Sequence, residues 1–261
     1  MVFDQIVAVM EEIANPELAV EWDNSGVQLY VGSKEIKRVL VTLEITRDVI
    51  HEAKEKAVDL IITHHPLLFS PLRKVDNNTI IGNHFIELIK ADISVYSAHT
   101  NFDVVDGGNS DYIAFKLNLA NTEKFGGNKS YIGSMGELPA KMSFEAVCSY
   151  VKDALGLEHI NVVGNPLTPI QKVGICSGAG SNRDTIDEAA NSGCELYITG
   201  DVRYHDAQYA LEKGICLIDA GHYGTEKFFV ENLAAKLKKA IGSDVEIILS
   251  AINIDPFVTY P

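Results

Sequence analysis

Two adjacent imidazoles at the end of an apolar run are the first residues in this chain that could do chemistry. DLIITHHPLLF (59–69) closes its apolar stretch with His64 and His65, and Pro66 follows. A proline biases the preceding residue toward extended backbone, where successive side chains face opposite ways. Two such rings would serve two ions lying close together, or one would bind while the other supports it. HTNFDVVDGGNSD (99–111) offers His99, Asp103 and Asp106 around a glycine pair. DAGHYGTEKFF (219–229) sets His222 and Glu226 four apart, so a helix starting near Tyr223 would bring both to one face, able to converge on a metal. TGDVRYHDA (199–207) adds Asp201, Arg203, His205 and Asp206.

Taken singly, each cluster has an ordinary explanation. A strand can end in a histidine, an Asn/Asp/Gly loop is turn chemistry, and a glutamate is favoured in the first turn of a helix. Their coincidence carries more weight, because each follows an apolar run that reads as a strand. Functional residues in open α/β sheets gather beyond the carboxyl ends of strands. Two imidazoles, a carboxylate, and a His and Glu one turn apart suffice for two ions sharing a bridging carboxylate. His51, His84 and His159 lie in polar helix or loop contexts and are read as surface residues.

The elements that position these groups come in two copies. RDVIHEAKEKAVDLIIT (47–63) matches RDTIDEAANSGCELYIT (183–199) at eight of seventeen positions without a gap, a shift of 136 residues. Each copy starts with an apolar run, VLVTLEI (39–45) or VGICSG (173–178). A helical segment follows, with Thr46 or Ser181/Asn182 as N-cap, and LIIT or LYIT closes the unit. Strand, helix, strand of this length is a βαβ unit with parallel pairing. Another strand and helix follow each copy: ISVYSA (93–98) with NSDYIAFKLNL, and ICLIDA (215–220) with TEKFFVENLAAKLKKA. The expected architecture is α/β, two similar lobes from an internal duplication, with the metal site in the cleft between them. The lobes are expected at 1–125 and 126–261, joined by a connector near 126–139. Amphipathic helices are expected at the N-terminus, from Phe3, Ile6, Val7, Met10 and Ile13, and at 143–157, capped by Ser143. At the 136-residue shift His64 and His65 become Gly200 and Asp201, so the copies diverge where chemistry is expected.

Composition narrows the function classes. A 261-residue chain with 46% hydrophobic and 22% charged residues suits a soluble globular protein with a sizeable core. A formal net charge of −14 argues against a face that tracks nucleic-acid phosphates. No apolar run approaches the roughly 20 residues that span a bilayer, and the acidic start is unlike a secretion signal. Four cysteines without a CxxC pair read as buried thiols in a reducing compartment, so a cytoplasmic location is expected. Neither a GxxxxGK[ST] loop nor a GxSxG elbow is present. SGAGSN (177–182) after a strand reads as a tight strand–helix turn.

ITHHPLLF, HTNFDVVDGG, TGDVRYHDA and DAGHYGTE, together with AVEWDNSGVQL (19–29), resemble the NIF-three-like proteins, also described as GTP cyclohydrolase I type 2 homologues. The likeness spans nearly the whole chain, with no room for the extra domain that longer members insert. It implies a dinuclear metal centre in which His64, Asp103 and Glu226 hold one ion and His65 and His222 the other, with Glu226 bridging. It also implies a toroidal hexamer with the metal sites facing an internal cavity.

Nitrogen and oxygen donors without thiolate suit two divalent transition-metal ions per chain, drawn from Zn, Fe, Mn, Co or Ni. Five protein groups for two ions leave coordination positions open, as in catalytic sites. The expected activity is metal-dependent hydrolysis of a small-molecule substrate such as a nucleotide, by attack on a purine ring or a phosphoester. His99, Asp201 and His205 are candidates for proton transfer or support, and Arg203 for a phosphate contact. The alternative is a non-catalytic metal-binding adaptor or regulatory ring protein. Nucleic acid threaded through a ring sits poorly with the charge.

Overall fold

The computed structural model describes every residue except 33–34, 127–132, 259 and 261. Helix α1 (Phe3–Ile13) is followed by strands β1 (Gly26–Leu29) and β2 (Arg38–Thr42), helix α2 (Arg47–Glu55) and strand β3 (Leu60–Thr63). Next come α3 (Ile80–Lys90), β4 (Ser94–Ser97), the short α4 (Thr100–Val104) and α5 (Asn109–Lys116). Strands β5 (Ala120–Phe125) and β6 (Gly133–Ser143) lead into α6 (Phe144–Leu155), β7 (Asn161–Val163) and β8 (Pro169–Ile175). Then α7 (Arg183–Asn191), β9 (Leu196–Thr199), α8 (Tyr204–Lys213), β10 (Cys216–Asp219) and α9 (His222–Glu226) precede α10 (Phe229–Ile241) and β11 (Glu246–Leu249).

The repeat read from the sequence is a repeat of structure. Helices α2 and α7 begin and end 136 residues apart, and so do β3 and β9. Their N-caps are equivalent too: Thr46 Oγ1 accepts from Val49 N, and Asn182 Oδ1 from Thr185 N. Such caps satisfy amides that the first helical turn leaves without a partner. The duplication extends further than sequence identity did. One sheet runs β1-β4-β3-β2-β11, the other β5-β6-β8-β9-β10-β7. They share a four-strand motif, β1-β4-β3-β2 in one and β7-β10-β9-β8 in the other, in which β1 and β7 are each antiparallel to their neighbour and the remaining pairs are parallel.

By contacts the chain divides into one unit of Met1–Val105 with Phe229–Pro261 and another of Asp106–Phe228, not at 125/126. Hydrogen bonding and packing explain the difference. Strand β11 pairs in parallel with β2, Ile247 opposite Val39, and α10 packs on β2, β11 and α1. Helix α5 packs on α6, β6 and β8 of the second unit. The helix that ends each half of the sequence therefore belongs to the sheet built mainly by the other half. The connector expected at 126–139 is largely strand: Gly133–Ser143 pairs with β5 and β8, while residues 127–132 lie outside the described residues.

The inner strands β3, β4 and β9 are buried at every position, as parallel strands covered by crossover helices must be. In the second unit, Leu196 and Ile198 of β9 join the core with α5 and α6. Tyr197, between them, packs with Ile186, Ala189 and Ala210 of α7 and α8. In the first unit Leu40, Ile61 and Val95 pack on Val49 and Ile50 of α2 and Phe85 and Leu88 of α3. His84, expected on the surface, is 8% exposed on the buried side of α3. Burial first, then the nearby Arg47 cation, lowers its pKa against the opposing pull of Glu44. The segment after β11 is tied to α2 by Glu52, whose carboxylate accepts from Lys56 Nζ, Ser250 Oγ and Ala251 N. Among the described residues, no helix is long and apolar enough to cross a membrane.

Candidate metal centre

Register brings the first cluster together. Thr42, Thr63 and Ser97 lie side by side on β2, β3 and β4, so the residues after them leave the sheet at one edge. The chain bends at His64–His65 instead of staying extended. Thr63 Oγ1 donates to His65 O at 2.8 Å, and His65 N donates to Leu43 O at 2.9 Å. The expected divergence of the two rings does not occur: their centroids are 5.2 Å apart and their planes tilted 41°. His64 is fully buried against Phe229, with ring centroids 4.9 Å apart. Its Nδ1 lies 2.9 Å from Ala98 O. A carbonyl only accepts, so Nδ1 carries a proton and Nε2 is the ring atom that would ligate. That atom is 3.7 Å from Asp103 Oδ2, which α4 projects from just past β4.

His99 completes an imidazole trio. Its ring is 5.1 Å from that of His64 and 5.7 Å from that of His65, near-perpendicular to both. One ring nitrogen from each of the three lies within 4.8 Å of the others. His99 Nδ1 is 2.8 Å from Asp23 Oδ1, and the Asp23 side chain is fully buried. Asp23 also accepts from Ser25 Oγ, Thr100 N and Thr100 Oγ1. Burial pushes this carboxyl up, but the hydrogen bonds from His99, Thr100 and Ser25 outweigh it and hold the group far below the usual carboxylate range. Asp23 escaped the reading of site residues because its partner is 76 positions away, beyond any local spacing.

The second unit supplies a His–Glu pair. Helix α9 begins at His222 itself, one residue earlier than expected, after Gly221 at φ 78°. His222 Nε2 is 3.0 Å from Glu226 Oε2, and the Glu226 side chain is almost wholly buried. His222 Nδ1 is 2.8 Å from Oδ2 of Asp201, a residue in left-handed backbone at φ 55°. Two glycines make room for this pair. A Cβ on Gly178 would lie 2.0 Å from Glu226 Oε1, and one on Gly200 would lie 2.6 Å from His222 N. The divergence of the repeat thus has a steric cause: the position that carries His64 in one copy must be glycine in the other.

The remaining candidates lie elsewhere. Arg203 is exposed at the N-cap of α8, and His205 is exposed on α8 against Tyr204, ring centroids 5.3 Å apart. Asp201 sits behind His222 as its hydrogen-bond partner.

The donor sets fit transition-metal ions. Metal-ligating histidines characteristically engage the second ring nitrogen with a carboxylate or backbone carbonyl, which fixes tautomer and orientation. His64 with Ala98 O, His99 with Asp23 and His222 with Asp201 all follow this pattern. In each the other ring nitrogen is Nε2, which in His222 faces Glu226 Oε2 at 3.0 Å.

Comparison with known proteins agrees over the full length. The profile of the family described as Duf34/NIF3 (NGG1p interacting factor 3) matches residues 1–256. A relative from Clostridium perfringens, named GTP cyclohydrolase 1 type 2 homolog, is 34% identical across 98% of this chain and 99% of its own. Among solved structures, reduced HcgD from Methanocaldococcus jannaschii is 31% identical with a TM-score of 0.84, covering 97% of this chain and 98% of that one. The Bacillus cereus protein related to NIF3 shares the fold at a TM-score of 0.89 and 24% identity, covering 100% and 99%. This chain belongs to the Duf34/NIF3 family.

Proposed function

We propose that the chain is a dinuclear metal-dependent hydrolase. In this reading His64, Asp103 and Glu226 hold one divalent ion, His65 and His222 hold a second, and Glu226 bridges them. The observation that carries the proposal is the orientation of the imidazoles. His64 and His222, two of the proposed ligands, and the neighbouring His99 each commit Nδ1 to an oxygen, so that Nε2 is the ring atom that would ligate or take a proton. Ordinary core histidines have no need to share one polarity. The family resemblance supports grouping the donors of the two units in one centre.

Bound in such a site, paired divalent ions act as Lewis acids and make water nucleophilic near neutral pH. The chain's own residues hold and orient the rest. Asp201 fixes His222 with its lone pair at Nε2. Asp23 fixes His99 in the same tautomer, and in this reading His99 Nε2 would take up a proton. The substrate proposed first is the purine ring of GTP, in keeping with the names of relatives. A phosphoester is the competing electrophile.

The test has two arms. Metal analysis of untagged protein is expected to find about two ions per chain, as two shared-carboxylate sites require. His65→Ala and Glu226→Ala are expected to lower that number in a chain that stays folded. Hydrolysis of GTP and generic phosphoesters should then appear with added Mn, Zn or Fe and be abolished by Glu226→Ala. Metal binding without turnover above background would instead favour a metal-binding adaptor.

A further inference from the structure

We infer that Trp22 and Phe69 form a stacking platform for a planar heteroaromatic ring, of the nucleobase class, beside the histidine cluster. The inference rests on the proposed reading of that cluster and names the kind of molecule delivered to it. Trp22 is 65% exposed and Phe69 56% exposed. Single exposed apolar residues are common and need no explanation. These two differ because both meet the same ring. Trp22 lies 5.9 Å from the His99 centroid at 68°, and Phe69 lies 5.5 Å from it at 76°. A T-shaped contact uses one edge or one face, and the exposure leaves much of each aromatic ring in solvent.

Both aromatics are flanked by a residue that hydrogen bonds hold in place, Asp23 beside Trp22 and Leu68 beside Phe69. Asp23 ties the residue after Trp22 to His99 and Thr100, and Val20 N donates to Thr100 Oγ1 from the other side. Asn24 Nδ2 donates to Leu68 O at 2.8 Å. Leu68 N donates to the Oε1 of Gln28, which is 7% exposed. The loops carrying Trp22 and Phe69 are thereby fastened to each other and to the histidine. Such fixation lowers the ordering cost of binding, yet it buries neither aromatic. Indole and phenyl faces accept any heterocycle with a π-face, which gives affinity for a ring class without reading its edges.

Trp22 is the sole tryptophan of the chain, so its emission reports this position alone. Metal-free protein titrated with guanosine 5′-monophosphate should show saturable quenching after inner-filter correction, and ribose 5-phosphate should produce none. Calorimetry should find guanosine 5′-monophosphate bound about tenfold more weakly by Trp22→Ala, with recovery in Trp22→Phe, and several-fold more weakly by Phe69→Ala, in line with one lost base–aromatic stack. Metal content should be unchanged in all three variants. Absence of saturable quenching, an equal response to ribose 5-phosphate, or unaltered affinity in Trp22→Ala would overturn the inference. So would an indole already blue-shifted and shielded from acrylamide in the free protein, which marks a contact between copies of the chain. Stacking requires no metal, so a protein that holds two ions without quenching contradicts this inference alone. One that quenches but never binds metal contradicts the hydrolase reading alone.

Discussion

Asp201 Oδ2 lies 2.8 Å from His222 Nδ1, from a backbone held in left-handed conformation. Aspartate and asparagine tolerate that conformation better than other non-glycine residues. Asp201→Asn therefore removes the charge while leaving the turn intact. The expected outcome is a roughly 10–100-fold loss of metal affinity, as for other partners that orient ligating histidines, with an unchanged circular dichroism spectrum. Competition with a chromophoric chelator measures it, and unchanged affinity would dissociate Asp201 from the site.

Gly178→Ala tests the cradle around Glu226. The new Cβ would fall 2.0 Å from Glu226 Oε1, on a backbone at φ 67°. The left-handed backbone alone costs about 1 kcal/mol for a residue with a Cβ, and the carboxylate must also move. The variant is expected to melt lower and to bind less metal. Gly193→Ala, at φ 81° in open space, supplies the control. It should lose stability to a similar backbone term and keep its metal.

Acid stability should depend on Glu52. Burial pushes its carboxyl up, but Lys56, Ser250 Oγ and Ala251 N hold it below its ordinary value of 4.5. A carboxylate depressed in the folded state binds protons more readily when unfolded. Its stabilisation is present above the unfolded value and is lost as pH falls through the folded one. Urea titrations of Glu52→Gln should show a loss of roughly 1–3 kcal/mol near pH 7, the scale of a buried charged hydrogen-bond partner. Below about pH 4 the gap to the parent should narrow. A gap independent of pH would contradict the assignment.

The local grammar of the fold was readable in the sequence. Apolar runs, N-caps at Thr46 and Asn182, and the 136-residue shift depend on near neighbours, and they located α2, β3, α7 and β9. Long-range pairing was not readable. Strand β11 joins β2 across more than 200 residues, which moved the division of the chain. The bend at His64–His65 overrode the extended bias before Pro66 because Thr63 Oγ1 and Leu43 O capture His65 locally. His222 and Glu226 followed from their spacing. Asp23 became visible only through His99, and the solvent-facing His84 expected from a polar sequence is buried because α2 and α3 pack together.

The central claim is that Glu226 serves two ions together with the histidines of the first unit. Anomalous diffraction from crystals grown with excess Mn or Zn tests it most directly. The account predicts two anomalous peaks per chain, both about 2.0–2.2 Å from oxygens of Glu226, one completed by His64 and Asp103 and the other by His65 and His222. Peaks bound by the histidines of one unit alone, with Glu226 touching neither, would contradict it.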